Sequence, residues 1–228
     1  MSRVPHLRPA GVGSIIQFMT MKKWIAALAA AAVLTGCGTP TDTAGPVDQP
    51  ETPAVTITNQ VDIKTLEDPA DLSGYQWLED SSPAFTEISL QESIRMFSEG
   101  GSGIVVFSAE TCPWCNRAIP VLNEVLKENG LKAYYVDTNQ PIASDAMTSK
   151  QLYDELCSYI SSIFELDDNG QPSFQIPEVI AVKDGTIVGH HLSLVDSFVM
   201  SDADVQLDDA QRAELKQIYQ DLINACAD

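Results

Sequence analysis

Positive charge is scarce in this 228-residue chain: 13 Lys and Arg stand against 32 Asp and Glu, a formal net charge of −19. So acidic a balance argues against a nucleic-acid binder, which needs cationic side chains to neutralise phosphates, and against adhesion to anionic lipid. Histidine is nearly absent, with three residues, two of them adjacent. His190 and His191 point to opposite faces of one strand, so they cannot join Cys112 and Cys115 in a tetrahedral metal site. Asp167, Asn169 and Gly170 lack the later bidentate Glu of a calcium loop and read as a turn. No metal and no cofactor are expected. Long apolar runs are also missing. The run Trp24–Val33 falls well short of the roughly 20 residues that cross a bilayer as a helix.

That short run has a meaning of its own. Met21, Lys22 and Lys23 form a charged n-region before it, and Leu34, Thr35, Gly36 and Cys37 follow as a small-residue cleavage site, the pattern of a secretory signal. Leu34-Thr35-Gly36-Cys37 resembles the lipobox of bacterial lipoproteins, in which the cysteine becomes the lipidated first residue. The resemblance implies a membrane lipoprotein on the extracytoplasmic face of a bacterial cell, anchored by lipid on Cys37. A plain secretory signal with an incidental cysteine is the alternative. Residues 1–20 read as an upstream start choice ahead of Met21. Four basic residues (Arg3, Arg8, Lys22, Lys23) and no acidic one precede Cys37, so the chain from Cys37 onward has nine basic residues against 32 acidic, a charge of −23.

Three segments are expected: 1–36 as upstream segment and signal, 37–60 as a flexible tether, and 61–228 as one globular domain. The tether, rich in Thr, Pro, Gly and Asp, has too little apolar surface to offset its chain entropy. Within the domain, Ser89-x-x-Glu92 is a capping box that predicts a helix over 90–99, and Gly100, Gly101 and Gly103 end it. Ile104–Ser108 is apolar without alternation, as in a central strand buried on both faces. A helix from Asn116 stops at Gly130, with Pro120 inside it. A strand at 132–137, a helix at about 148–165, strands at 178–182 and 186–191 around a Lys183-Asp184-Gly185 turn, and a helix at 208–225 complete the order. Helices on both faces of a small mixed sheet, an α/β class, are implied.

Cys112-Pro113-Trp114-Cys115 lies between the apolar strand and the following helix. There the free amides and positive dipole end of a helix start stabilise a thiolate at Cys112, and Cys115, one turn on, is placed to resolve a mixed disulfide. A disulfide closing so small a loop contributes little stability, so a structural role is the poorer reading. Arg117 either lowers the thiolate pKa or is a solvated helix charge. Trp114 either borders a substrate groove or packs. Cys157 and Cys226 form a structural disulfide, a second redox pair, or two free thiols.

The element order together with Phe107–Cys115, Pro120 five residues after Cys115, and Ile176-Pro177 before Val179–Gly185 resembles the thioredoxin-like superfamily over about residues 85–228. The lipobox and a helical insertion before Pro177 resemble lipoprotein-anchored and bacteriocin-accessory thioredoxin-like proteins of bacteria. The resemblance implies a thioredoxin-like fold and catalytic Cys112 and Cys115. It further implies a cis-proline at Pro177 whose neighbourhood, with Ile176 and Trp114, binds an extended substrate. Partners would be disulfide- or thiol-containing proteins and a membrane redox partner, with no nucleic acid. The chain departs from the family at Val106, where a buried Asp would accept the proton of the second thiol. The motif leaves the direction of exchange open. A non-catalytic thioredoxin-fold module that holds a secreted peptide is the rival reading.

Overall fold

The computed structural model describes residues 55–228, so the signal-like segment, Cys37 and most of the tether lie outside the described residues. The core of the fold is the strand β3 (Gly103–Ser108), all six residues of which are buried. It is flanked on one side by β4 (Ala133–Asp137) and on the other by β7 (Glu178–Lys183). Outside β4 lie β2 (Phe85–Ile88) and β1 (Thr65–Glu67), and outside β7 lies β8 (Thr186–Leu192). β2, β4 and β3 run parallel, β7 is antiparallel to β3, β8 is antiparallel to β7 and so runs in the direction of β3, and β1 is antiparallel to β2. This mixed sheet with helices on both faces is a thioredoxin-like fold, the class expected from the sequence.

Alternation along the strands divides the core in two. Ile104, Val106, Val179 and Ala181 pack under α2 (Pro113–Glu128) and α4 (Asp209–Cys226). Val105, Phe107, Ile180 and Val182 pack under α1 (Leu90–Ser98) and α3 (Ala146–Ile160). The helix starts follow side-chain chemistry: Ser89 and Asp145 accept from the amides of Glu92 and Thr148, and Asp208 forms a reciprocal box with Gln211. Helix α2 runs through Pro120 without interruption.

Four boundaries differ from expectation. Helix α2 begins at Pro113 and not at Asn116, because proline suits the first helical position and the Cys112 sulfur itself caps the turn. The helix expected to reach residue 165 ends at Ile160, where a 3₁₀ turn (Ser161–Ile163) leads into a hairpin of β5 (Glu165–Leu166) and β6 (Pro172–Ser173). Phe164 and Phe174, with centroids 6.0 Å apart, close that hairpin against Phe107. Strands β1 and β2 gave no sequence signal, being short and interrupted by polar residues. The end of the expected tether is folded: Val55 and Ile57 pack on the core, and the Thr58 amide and hydroxyl donate to the Asp228 carboxylate.

Cys157 and Cys226 belong to α3 and α4, on opposite faces of the sheet, so they cannot approach the roughly 6 Å Cα separation a disulfide needs. Both are free thiols, and Cys226 is buried. At the far end of the sheet the β7–β8 turn is fastened to the end of α1. The Gly185 amide donates to Gly101 O (2.8 Å) and the Asp184 amide to Ser102 Oγ (2.9 Å). Gly185 has φ +74°, and a Cβ there would lie 2.5 Å from the Phe97 carbonyl, so only glycine fits.

Candidate active site

The end of β3 delivers the chain into α2 through Ala109–Cys112, and this turn sets two sulfurs in different surroundings. Cys112 is the N-cap of α2: its sulfur accepts from the Cys115 amide at 3.2 Å and lies 3.7 Å from the Ile176 carbonyl. Cys112 is half-buried, whereas Cys115 is 0% exposed. Hydrogen bonding from the Cys115 thiol, and then from the Cys115 and Trp114 amides, holds the Cys112 thiol down to about 7 against the opposing effect of burial. Burial and the neighbouring Cys112 push the Cys115 thiol far up, while the Ser108 hydroxyl and the Ala109 amide oppose that rise.

Cys112 is therefore far more readily ionised near neutral pH than an ordinary thiol, which is at most a few per cent thiolate there. Alkylation of the reduced protein by iodoacetamide should rise through a midpoint near pH 7 at Cys112 and leave Cys115 unmodified, as peptide mapping would show. A midpoint in the ordinary thiol range would contradict the site geometry. The linkage has a definite sign. A thiol depressed in the folded state adds stability as pH climbs from about 7 toward its unfolded value of 9.0, and that contribution is lost as pH falls through 7.

Pro177 is cis to Ile176 and sits opposite the dithiol. Its own carbonyl accepts from Ser193 at 2.8 Å, so the Ile176 carbonyl is the one facing Cys112. Trp114 is 43% exposed and, with Ile176, Leu194, Val195, Asp196 and Phe198, lines an open groove beside the pair. The sequence-identified residues Cys112, Trp114, Cys115, Ile176 and Pro177 thus converge. Cys37 lies outside the described residues.

Arg117 is neither a thiolate partner nor a solvated charge. It is 2% exposed, and its guanidinium donates to the carbonyls of Pro113 (2.6 Å), Val205 (2.6 Å) and Ala203 (2.8 Å), stacked 4.5 Å above the Trp77 ring. It clamps the first turn of α2 to the loop before α4. His190 faces Glu178, with Nδ1 3.0 Å from its carboxyl, and burial raises that carboxyl to about 8. His191 lies edge-on to Tyr219, and its Nε2 and the Tyr219 hydroxyl have no partner among the described residues. The two histidines do point apart.

Sequence reasoning missed the buried hydroxyls behind Cys115. Tyr75 Oη is 2.7 Å from Ser108 Oγ and 2.9 Å from Tyr135 Oη. Only strand alternation could have signalled two of them: Ser108 shares the face of Ile104 and Val106, and Tyr135 that of Ala133.

No protein-family model matches the chain, and no curated protein matches it. Among solved structures it is similar to one named "A putative oxidoreductase with a thioredoxin fold", at 17% identity and a TM-score of 0.35, covering 48% of this chain and 83% of that one. With so loose a superposition, the fold assignment rests on the strand order and the cis-proline strand described above.

Proposed function

We propose that the protein is a thiol–disulfide oxidoreductase that exchanges disulfides on secreted or cell-envelope proteins. The observation that carries this reading is the asymmetry of the pair: an accessible sulfur with a depressed pKa beside a fully buried one with a raised pKa. That is the division of labour between a nucleophile and a resolving thiol. The Cys112 thiolate attacks a substrate disulfide, forming a Cys112–substrate disulfide and releasing one substrate thiolate. Cys115 then loses its proton and attacks the Cys112 sulfur. The Cys112–Cys115 disulfide forms, the second substrate sulfur leaves, and the substrate has gained two electrons. The reverse sequence installs a disulfide.

An extended substrate segment is positioned by the Ile176 and Pro177 backbone, with its side chains against Trp114. The lipobox-like Leu34–Cys37 supports attachment to the outer face of a bacterial membrane, where a membrane redox partner would reset the pair. The lipobox and the α3–β6 insertion also support kinship with lipoprotein-anchored or bacteriocin-accessory thioredoxin-like proteins.

A Cys112 pKa near 7 is a modest stabilisation of the reduced form, at the level of thioredoxin and far from the ≈ 3.5 of a strong oxidant. The pair should therefore equilibrate in glutathione or dithiothreitol buffers at roughly −270 to −200 mV, in the range of thioredoxin and glutaredoxin. A value near −120 mV would make the protein an oxidase. One far below −300 mV, with no exchange on a model protein disulfide, would replace the catalytic reading with the inert peptide-holding module.

A further inference from the structure

The resolving step asks a buried thiol to become an anion. Cys115 has no exposure, its desolvation opposes ionisation, and the neighbouring strand position that faces the same side is occupied by Val106, which offers neither acceptor nor donor. What the protein places there is a row of hydroxyls. Tyr75, Ser108 and Tyr135 are all buried, come from three separate segments of the chain, and meet with Tyr75 Oη between the other two. In an otherwise apolar cluster, such a row is costly to assemble unless its donors are used.

Resting on the oxidoreductase reading, we propose that Ser108 is a catalytic hydroxyl for the resolving thiol, and that Tyr75 and Tyr135 are positioning residues that orient it. With the Ser108 proton assigned to the Cys115 sulfur, the direction of the chain follows. Each hydroxyl has one proton. With Tyr135 donating to Tyr75 and Tyr75 to Ser108, the Ser108 proton is left free for the Cys115 sulfur, which is buried with Tyr75 and Tyr135 in the same cluster on that face of the sheet. Cys115 gives up its proton to solvent before it attacks the Cys112–substrate disulfide, the departing substrate thiolate takes one up from solvent, and the three aligned hydroxyls stabilise the negative charge on the Cys115 sulfur in between. No proton is lost or gained by the hydroxyls, and a polarised chain of this kind is stronger than one isolated bond.

Several other groups act on this titration and set its background. Cys112 faces Cys115 from the same helix, and Tyr219 faces it from α4. Asp137 and Glu87 act on Tyr135, and Glu178 acts on Tyr219.

The test uses the two-phase reaction of the reduced full chain with 5,5′-dithiobis(2-nitrobenzoate), with Cys37, Cys157 and Cys226 replaced in every variant. The first release of thionitrobenzoate reports attack by Cys112, and the second reports resolution by Cys115. Tyr75→Phe, Tyr135→Phe and Ser108→Ala should each slow the second phase about tenfold at pH 7 and leave the first unchanged. Their deficit should shrink as pH rises, because the lost donor raises the Cys115 pKa, and Ser108→Thr should restore the native profile. A second phase of native rate and native pH dependence in Tyr75→Phe and Tyr135→Phe overturns the proposal. So does equal slowing of both phases, since that marks a disturbance of the whole site. Absence of a first phase in the unaltered site would instead remove the oxidoreductase reading itself.

Discussion

Cys112→Ser should abolish disulfide exchange, reducing turnover of a model protein disulfide to the level of buffer alone, whereas Cys115→Ser should retain attack and accumulate a covalent protein–substrate adduct. The difference follows from where each sulfur sits. The Cys112 sulfur has the cap position of α2, a depressed pKa and a path to solvent beside the Trp114 groove. A serine hydroxyl in the same place keeps the cap bond, yet it is not ionised at neutral pH and cannot form a bond to sulfur that is readily reversed. With Cys115 gone, Cys112 still attacks, but the mixed disulfide waits for an external thiol. Non-reducing electrophoresis and intact mass would read both outcomes. Exchange by Cys112→Ser at the native rate would overturn the assignment of the nucleophile. So would an adduct that forms on Cys115.

The second large effect is on stability. Arg117→Ala should destabilise the fold by about 2–4 kcal/mol, and Arg117→Lys should recover only part of the loss. A buried guanidinium that donates to three carbonyls from two segments cannot be removed without leaving those acceptors unpaired, and hydrogen bonds to charged groups contribute more than neutral ones. The stacking on Trp77 is lost as well. Lysine has the charge but neither the planar fork nor the stacking face. At a urea dependence of roughly 2 kcal/mol per M, the alanine variant should unfold at a midpoint 1–2 M below the native protein. A midpoint within a few tenths of a molar of the native one would show that the clamp is dispensable. Since the Pro113 carbonyl is one of its acceptors, the same variant should loosen the first turn of α2 and broaden the Cys112 titration.

The parts of the fold that sequence displayed were those governed by local rules. The β3 run without alternation, the Ser89 cap and the Gly130 stop all rest on near neighbours, and the structure has them where expected, although the Glu92 carboxylate turns to the Lys64 amide and Arg95 and does not close the expected box. The dithiol and Ile176-Pro177 were legible for a similar reason, because short motifs name their own chemistry. The hydroxyl row was hidden, since Ser108 and Tyr135 lie 33 and 60 residues from Tyr75 and the three meet only once the sheet is assembled. Arg117 was misjudged because a helix position next to a reactive cysteine looks solvent-facing until the loop around residues 203–205 folds over it. Strands β1 and β2 were lost to brevity.

The glycine turn at the opposite end of the sheet acts as a ruler for the site. The anchoring of Asp184 and Gly185 to the segment after α1 fixes the point from which β7 is measured, six residues before its other end reaches Pro177. A slip of one residue in that strand would move the Ile176 carbonyl by about 3.3 Å and turn Val179 and Ala181 away from α2 and α4. The alignment of Ile176 over the Cys112 sulfur is therefore gauged from a contact a whole strand length away, so substitutions at Gly185 or Gly101 would mistune the dithiol without touching it.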